Sequence, residues 1–300
     1  MKTVIFICGP TAIGKTSVAI EIAKWLQTEI ISFDSRQFFK ELKIGAAPPN
    51  EKDLQEIPHH LIGNLSLKED YSSGKFEKEA LQLIQKLFET KDQIVLVGGS
   101  GLYMKVLCEG FDEMPEVNPE VRENLRQELR NQGLDKLLLE LKNSDPIYYN
   151  EVDKKNPQRI VRALEIIRTT AMPFSSFRKR KKINRPFNII KIGLNMNREN
   201  LYQRINLRVD KMMESGLLEE VKSLLQYKEH NSFQTVGYRE FVPFFNDEIN
   251  LDQAVEEVKK NSRRYAKRQL TWFKKDEEIK WFHPERMEDI KKELGESLSE

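Results

Sequence analysis

The sequence predicts an α/β fold: a parallel sheet flanked by helices, with an all-helical domain inserted into it. Three observations carry this reading. Four apolar runs rich in β-branched residues, at 3–8, 29–33, 93–97 and 189–194, read as core strands. The first three alternate with helical patterns, as at 15–26 and 74–88, and such alternation implies parallel strands covered on both faces. From 115 to 170 the pattern is purely helical, and strand character returns only afterwards. The expected layout is a core of residues 1–114 and 186–300 around an insertion of residues 115–185.

In chain order, the first strand runs into a glycine loop, Gly9-Pro10-Thr11-Ala12-Ile13-Gly14-Lys15-Thr16, that opens the first helix. This matches G-x-x-x-x-G-K-[ST] in the context its mechanism requires, and makes the sheet P-loop NTPase-like. Backbone N–H groups turn inward around phosphate oxygens, and the helix N-terminus adds partial positive charge. Lys15 is placed to meet the terminal phosphate and Thr16 to hold Mg²⁺. In the insertion, Leu125, Leu129, Leu134, Leu137, Leu138 and Leu141 supply apolar stripes. Pro115, Pro119, Pro146, Pro157 and Pro173 punctuate it, as prolines do at helix starts and just past helix ends. After the fourth strand come helical patterns at 199–215, 217–227 and 251–273, and a charged tail after Pro284 that is expected to fray.

The bulk composition excludes several classes. The 300 residues are 39% apolar and 32% charged, as in a globular protein with a charged surface, and the net charge is only +2. A polyanion partner would therefore need local segregation of charge. Cys8 and Cys108 lie in apolar stretches without metal-ligand spacing, which suits reduced thiols. No apolar run has signal-peptide flanks or membrane-spanning length, so a cytoplasmic protein without a membrane partner is expected.

Open parallel sheets place ligand contacts at the carboxyl ends of strands. Asp34, in Asp34-Ser35-Arg36-Gln37, ends the second strand, where it could take a proton from an attacking group, cap a helix or support a magnesium ion. Gly98-Gly99-Ser100-Gly101 leaves the third strand and is either a second ligand contact or a bare turn. His59 and His60 are adjacent and so point to different faces, a poor chelate; a structural or pocket-wall role fits them better.

Basic charge is concentrated in a few places. Residues 178–182 are consecutively basic, with Arg185 close behind; such a run is either a solvated loop or a nucleic-acid contact. Lys259-Lys260, Arg263-Arg264 and Lys267-Arg268 recur every four residues in the long C-terminal helix, interleaved with Tyr265 and Trp272, a stripe that suits a phosphate backbone. Glu256 and Glu257 could neutralise its first turn. Arg159 and Arg162 share a helix face, free for RNA or paired with acids such as Glu165. Arg204 and Arg208, four apart, could reach the phosphate site or pair with Asp210 or Glu214.

Taken together, these motifs resemble the tRNA dimethylallyltransferases, also called tRNA isopentenyltransferases, in their bacterial form. The resemblance rests on residues 9–16, Asp34-Ser35-x-Gln37, Pro58-His59-His60-Leu61, Tyr71-Ser72 before Phe76, and Gly98-Gly99-Ser100-Gly101-Leu102-Tyr103. It continues through Asp145-Pro146, Asn156-Pro157-x-Arg159, Arg162-Ala163-Leu164-Glu165, Gly237-Tyr238-Arg239-Glu240 and Tyr265-Ala266-Lys267-Arg268-Gln269-x-x-Trp272-Phe273. It implies transfer of a dimethylallyl group from dimethylallyl diphosphate to N6 of the adenosine just 3′ of a tRNA anticodon. The P-loop, with Lys15 and a Mg²⁺ on Thr16, would hold the diphosphate leaving group; Asp34 would be the base. Ser100, where the family usually has threonine, and Arg208 or Arg204 would complete the catalytic set. Asp34, Ser35, Arg36, Gln37, Gln158, Arg159, Ile160, Val161, Arg162, Arg264, Lys267 and Arg268 would contact the anticodon stem-loop, and the protein is expected to be a monomer. Phe33, Phe38-Phe39 and Gly45-Ala46-Ala47-Pro48 depart from the usual residues; the second removes a hydroxyl expected near the base, and the third a basic residue. A small-molecule kinase, a prenyltransferase acting on free nucleotide, and a silent tRNA-binding protein are the competing readings.

Overall fold

The first strand, β1 (Thr3–Cys8), is buried along its whole length, and its alternation divides it between two cores. Val4, Phe6 and Cys8 face one, and Ile5 and Ile7 face the other. The computed structural model describes residues 1–69, 71–112, 114–179 and 183–299. The remaining strands are β2 (Ile30–Ser32), β3 (His59–His60), β4 (Gln93–Gly98), β5 (Asn188–Leu194) and β6 (Lys280–Phe282). They form one sheet in the order β3-β2-β4-β1-β5-β6, and every neighbouring pair is parallel. Helices Lys15–Trp25, Ser73–Leu87, Gly101–Glu109, Arg198–Glu214, Leu217–Leu224 and Leu251–Phe273 accompany it. Because the strands run one way, the loops after β1, β2 and β4 leave from the same edge, where crevices in such sheets form.

Two strands fall outside the sequence expectation. β3 and β6 are two and three residues long and lie outside the apolar, β-branched runs that mark the other strands. They form by pairing to edges already built, β3 to β2 and β6 to β5. On β3, His60 Nε2 meets Glu29 Oε2 at 2.6 Å and His59 Nδ1 meets the Ile57 carbonyl at 2.8 Å.

The chain divides into two compact units, Met1–Cys108 with Asn184–Glu300, and Glu109–Ile183. In the second, Pro119, Pro146 and Pro157 each open a helix, capped by Asn118, Asp145 and Asn156 respectively. Leu125, Leu137, Leu141, Ile160 and Leu164 form its core. Arg168 holds Glu128 and Glu140 at 2.6–2.8 Å, tying three helices together. Among the described residues no helix is long and apolar enough to cross a membrane.

Candidate active site

The phosphate loop is shaped by backbone angles that most residues avoid. Gly14, which caps helix Lys15–Trp25, has φ 106°, and Ala12 has φ 64°. A Cβ at Gly14's angle would be strained, and Ala12 bears part of such a cost, on the order of 1 kcal/mol. Lys15 folds back and donates to the Pro10 carbonyl at 2.8 Å. Burial pulls its ammonium down to about 8; the Asp34 carboxylate opposes this and the Arg208 charge adds to it.

The loop forms one wall of a cavity of about 500 Å³, through Thr11, Ala12, Gly14, Lys15, Thr16 and Ser17. Asp34, Arg36 and Gln37 form a second wall, Ala46 and Ala47 a third, and Arg204, Leu207, Arg208 and Lys211 a fourth. Asp34 is 8% exposed, and its Oδ1 accepts the Arg36 backbone N–H at 3.2 Å. The Arg36 guanidinium lies over the Tyr265 ring and donates to the Val236 carbonyl at 3.2 Å, while its buried Nε has no hydrogen-bond partner among the described residues. Gln37 accepts from Ser32 Oγ at 3.0 Å and donates to the Ala47 carbonyl at 3.1 Å, joining two walls.

The two arginines of helix Arg198–Glu214 differ. Arg204 donates to the Ala12 carbonyl at 3.0 Å and so braces the phosphate loop. Arg208 has no hydrogen-bond or ion-pair partner among the described residues. Burial and the neighbouring charge of Arg36 pull its guanidinium down to about 10, with Asp34 opposing. A desolvated cation without a partner is poised for an anion.

Comparison with known proteins decides the family. The IPP transferase family model matches residues 37–276. A tRNA dimethylallyltransferase of Christiangramia forsetii is 52% identical over 92% of this chain and 91% of its own length. A tRNA dimethylallyltransferase of Bacteroides thetaiotaomicron is 47% identical over 97% of this chain and 94% of its own. The full-length tRNA isopentenylpyrophosphate transferase of Bacillus halodurans superposes with a TM-score of 0.74 at 33% identity, covering 100% of this chain and 97% of that one. The chain belongs to the tRNA dimethylallyltransferase, or IPP transferase, family. A eukaryotic dimethylallyltransferase acting on tRNA has the same fold, with a TM-score of 0.77 at 28% identity over 91% of this chain and 70% of that one.

Of the residues singled out in the sequence, Thr11, Ala12, Gly14, Lys15, Thr16, Asp34, Arg36, Gln37, Arg204 and Arg208 line this cavity, whereas Gly9, Pro10 and Ile13 do not, and Ile13 is buried in the core. Ser100 does not line the cavity; it accepts the Ser35 N–H at 2.9 Å and donates to Ser35 Oγ at 3.0 Å, holding the segment behind Asp34. Several of the expected RNA contacts are engaged elsewhere. Ile160 has no exposed surface and Val161 has 9%, because both face the core of the helical unit; they can only support a contact surface. Arg162 is paired with Glu165 at 2.9 Å, whereas Gln158 and Arg159 are exposed. Arg185 is buried against Glu77 and the Leu107 carbonyl, so it is no part of a basic surface. Arg178 is bonded to Glu151 at 2.7 Å; Arg180, Lys181 and Lys182 lie outside the described residues. On helix Leu251–Phe273 the first basic pair is already used, Lys259 on Asp210 and Glu256, and Lys260 on Glu257. Arg264, Lys267 and Arg268 are exposed. Phe33 and Phe38 are fully buried and Phe39 nearly so, with Phe38 packed on Tyr71, Phe76 and Tyr103. Leu207 and Lys211, at the cavity wall, carry no sequence signal beyond their spacing from Arg204.

Proposed function

We propose that the chain transfers a dimethylallyl group from dimethylallyl diphosphate to N6 of the adenosine 3′-adjacent to a tRNA anticodon, releasing diphosphate. The observation that supports this most directly is the cavity itself. Its lining joins an anion cradle and an arginine that has no partner among the described residues to a buried carboxylate. That polarity suits a reaction in which an anion departs at one end while a proton is lost at the other. The N6–C1 bond forms as the C1–O bond to diphosphate breaks, and Asp34 takes the N6 proton. Lys15 and Arg208 stabilise the charge that grows on the departing oxygens. Arg204 keeps the loop in shape.

Among the described residues no cluster of three or more His, Cys, Asp or Glu could hold a metal by itself. Thr16, facing the cavity, is a hard oxygen donor, which fits a Mg²⁺ held mainly by substrate phosphates. Bound there, the ion would offset diphosphate charge. Exposed Gln158 and Arg159, with Arg264, Lys267 and Arg268, are the groups available for the anticodon stem-loop, and Arg36 and Gln37 for the flipped base.

Incubation with magnesium and labelled dimethylallyl diphosphate, with unmodified tRNA or AMP as acceptor, tests the reading. Label is expected on tRNA alone. Label on AMP but not tRNA, or phosphoryl transfer from ATP without use of the prenyl donor, would overturn it.

A further inference from the structure

Gln269 lies on the inner side of helix Leu251–Phe273 and is only 5% exposed. Its carboxamide spans two loops. Oε1 accepts the Thr11 N–H at 2.8 Å, and Nε2 donates to the Gly99 carbonyl at 2.8 Å. The orientation is forced, since the Thr11 amide can only donate and the Gly99 carbonyl can only accept. The fit also explains Gly99, where a Cβ would stand 2.2 Å from Nε2.

Gly99 leads directly into Ser100. Ser100 in turn holds Ser35, the neighbour of Asp34. A continuous path of bonds therefore runs from the phosphate loop through Gln269 and Gly99-Ser100 to the segment that carries Asp34. Displacement at carbon requires the leaving group and the nucleophile to be held at a fixed separation, and a misplacement of about 1 Å can cost roughly 100-fold in rate. Only a side chain with a donor at one end and an acceptor at the other satisfies both loops. An apolar side chain would leave the Thr11 N–H and the Gly99 carbonyl without their partner.

We propose that Gln269 is a positioning residue that sets the spacing between the phosphate loop and the Asp34 segment that Ser100 holds. The inference rests on the transfer reaction proposed above. Its test compares wild type, Gln269→Met and Gln269→Glu in two assays: steady-state prenyl transfer, and amide hydrogen exchange of the protein with and without inorganic diphosphate. Gln269→Met, which keeps the volume, should lose about 10- to 100-fold in kcat with KM for the prenyl donor within about threefold. Exchange at Thr11 and Ala12 and at 99–101 should quicken at least tenfold while the remaining strands keep their protection. Gln269→Glu retains the acceptor for Thr11 but sets a carboxylate against the Gly99 carbonyl. Its kcat relative to wild type should therefore rise as pH falls and the acid regains a proton to donate. A kcat for Gln269→Met within twofold of wild type, a loss confined to KM, or unchanged local exchange overturns the proposal. So does loss of protection throughout both variants, which would mark a structural role. If wild type itself moves no label to tRNA, the functional reading fails, and the exchange arm alone then decides whether Gln269 ties the loops.

Discussion

Arg204 and Arg208 stand one turn apart on the same helix, yet only Arg204 is engaged, through its bond to the Ala12 carbonyl. Arg208 faces the cavity with no partner of its own among the described residues. Arg208→Ala should therefore lower kcat/KM by about 100- to 1,000-fold, the range for removing one donor to developing negative charge. Arg204→Ala should cost less than about tenfold, through a looser phosphate loop. Steady-state kinetics on both variants decides this, and equal losses would mean that the two share the anion.

Lys15 carries a penalty that its substitution should relieve. Its folded-state value, about 8, lies below the ordinary 10.5. Between those values the unfolded chain binds more protons, so stability rises with pH across that window, and the full cost is present below it. With a tenfold change in proton affinity equivalent to about 1.4 kcal/mol, the cost at pH 7 is on the order of 3 kcal/mol. Lys15→Met should raise Tm at pH 7, lose that advantage by about pH 10.5, and abolish diphosphate binding. Thermal melts across pH, paired with calorimetric titration of diphosphate, test it. A Met variant no more stable than wild type at pH 7 would contradict the burial argument.

The basic helix makes a graded prediction. Lys259 and Lys260 are occupied by Asp210, Glu256 and Glu257, whereas Lys267 and Arg268 are exposed. Replacing Lys267 and Arg268 with alanine should reduce the slope of log affinity against log salt by roughly 1–2, at about 0.7–0.9 for each phosphate that is no longer neutralised. The same change at Lys259 and Lys260 should move it by no more than a few tenths. Filter binding of tRNA between low and moderate salt measures both slopes, and the opposite ranking would place the RNA on the first turns of the helix.

These contrasts show what the sequence could carry. The phosphate loop, strands β1, β2, β4 and β5 and helix Leu251–Phe273 were legible because each has a local cause in spacing or composition. β3 and β6 were not, since neither lies in an apolar, β-branched run and each pairs only with the edge of a neighbouring strand. Ile160 and Val161 read as RNA contacts because they lie within a family segment, yet helical phase puts them with Ala163 and Leu164 on the buried side. Gln269 stood within a recognised motif, but its role depends on loops around residues 11 and 99, far away in sequence. Which arginine is spent on a backbone carbonyl is likewise a matter of tertiary geometry.

The loop that supplies Ala46 and Ala47 to the cavity depends on a carboxylate from a distant helix. Glu220 accepts the N–H groups of Lys43, Ile44 and Gly45 at 2.8–3.1 Å and the Tyr238 hydroxyl at 2.7 Å. Gly45 is required by this arrangement, because a Cβ would stand 2.5 Å from the Tyr238 ring. Hydrogen bonds to a charged group contribute about 1.5–3 kcal/mol each when buried, and less here, where water reaches part of the loop. Glu220→Ala should therefore lose about 2 kcal/mol in urea unfolding. Glu220→Gln should lose more than half as much, since its NH₂ group opposes donors rather than accepting from them. Because Gln37 also holds the Ala47 carbonyl, the loosened loop should raise KM for the RNA acceptor more than it lowers kcat. A Glu220→Gln variant with wild-type stability and KM would show that the loop keeps its shape without the carboxylate.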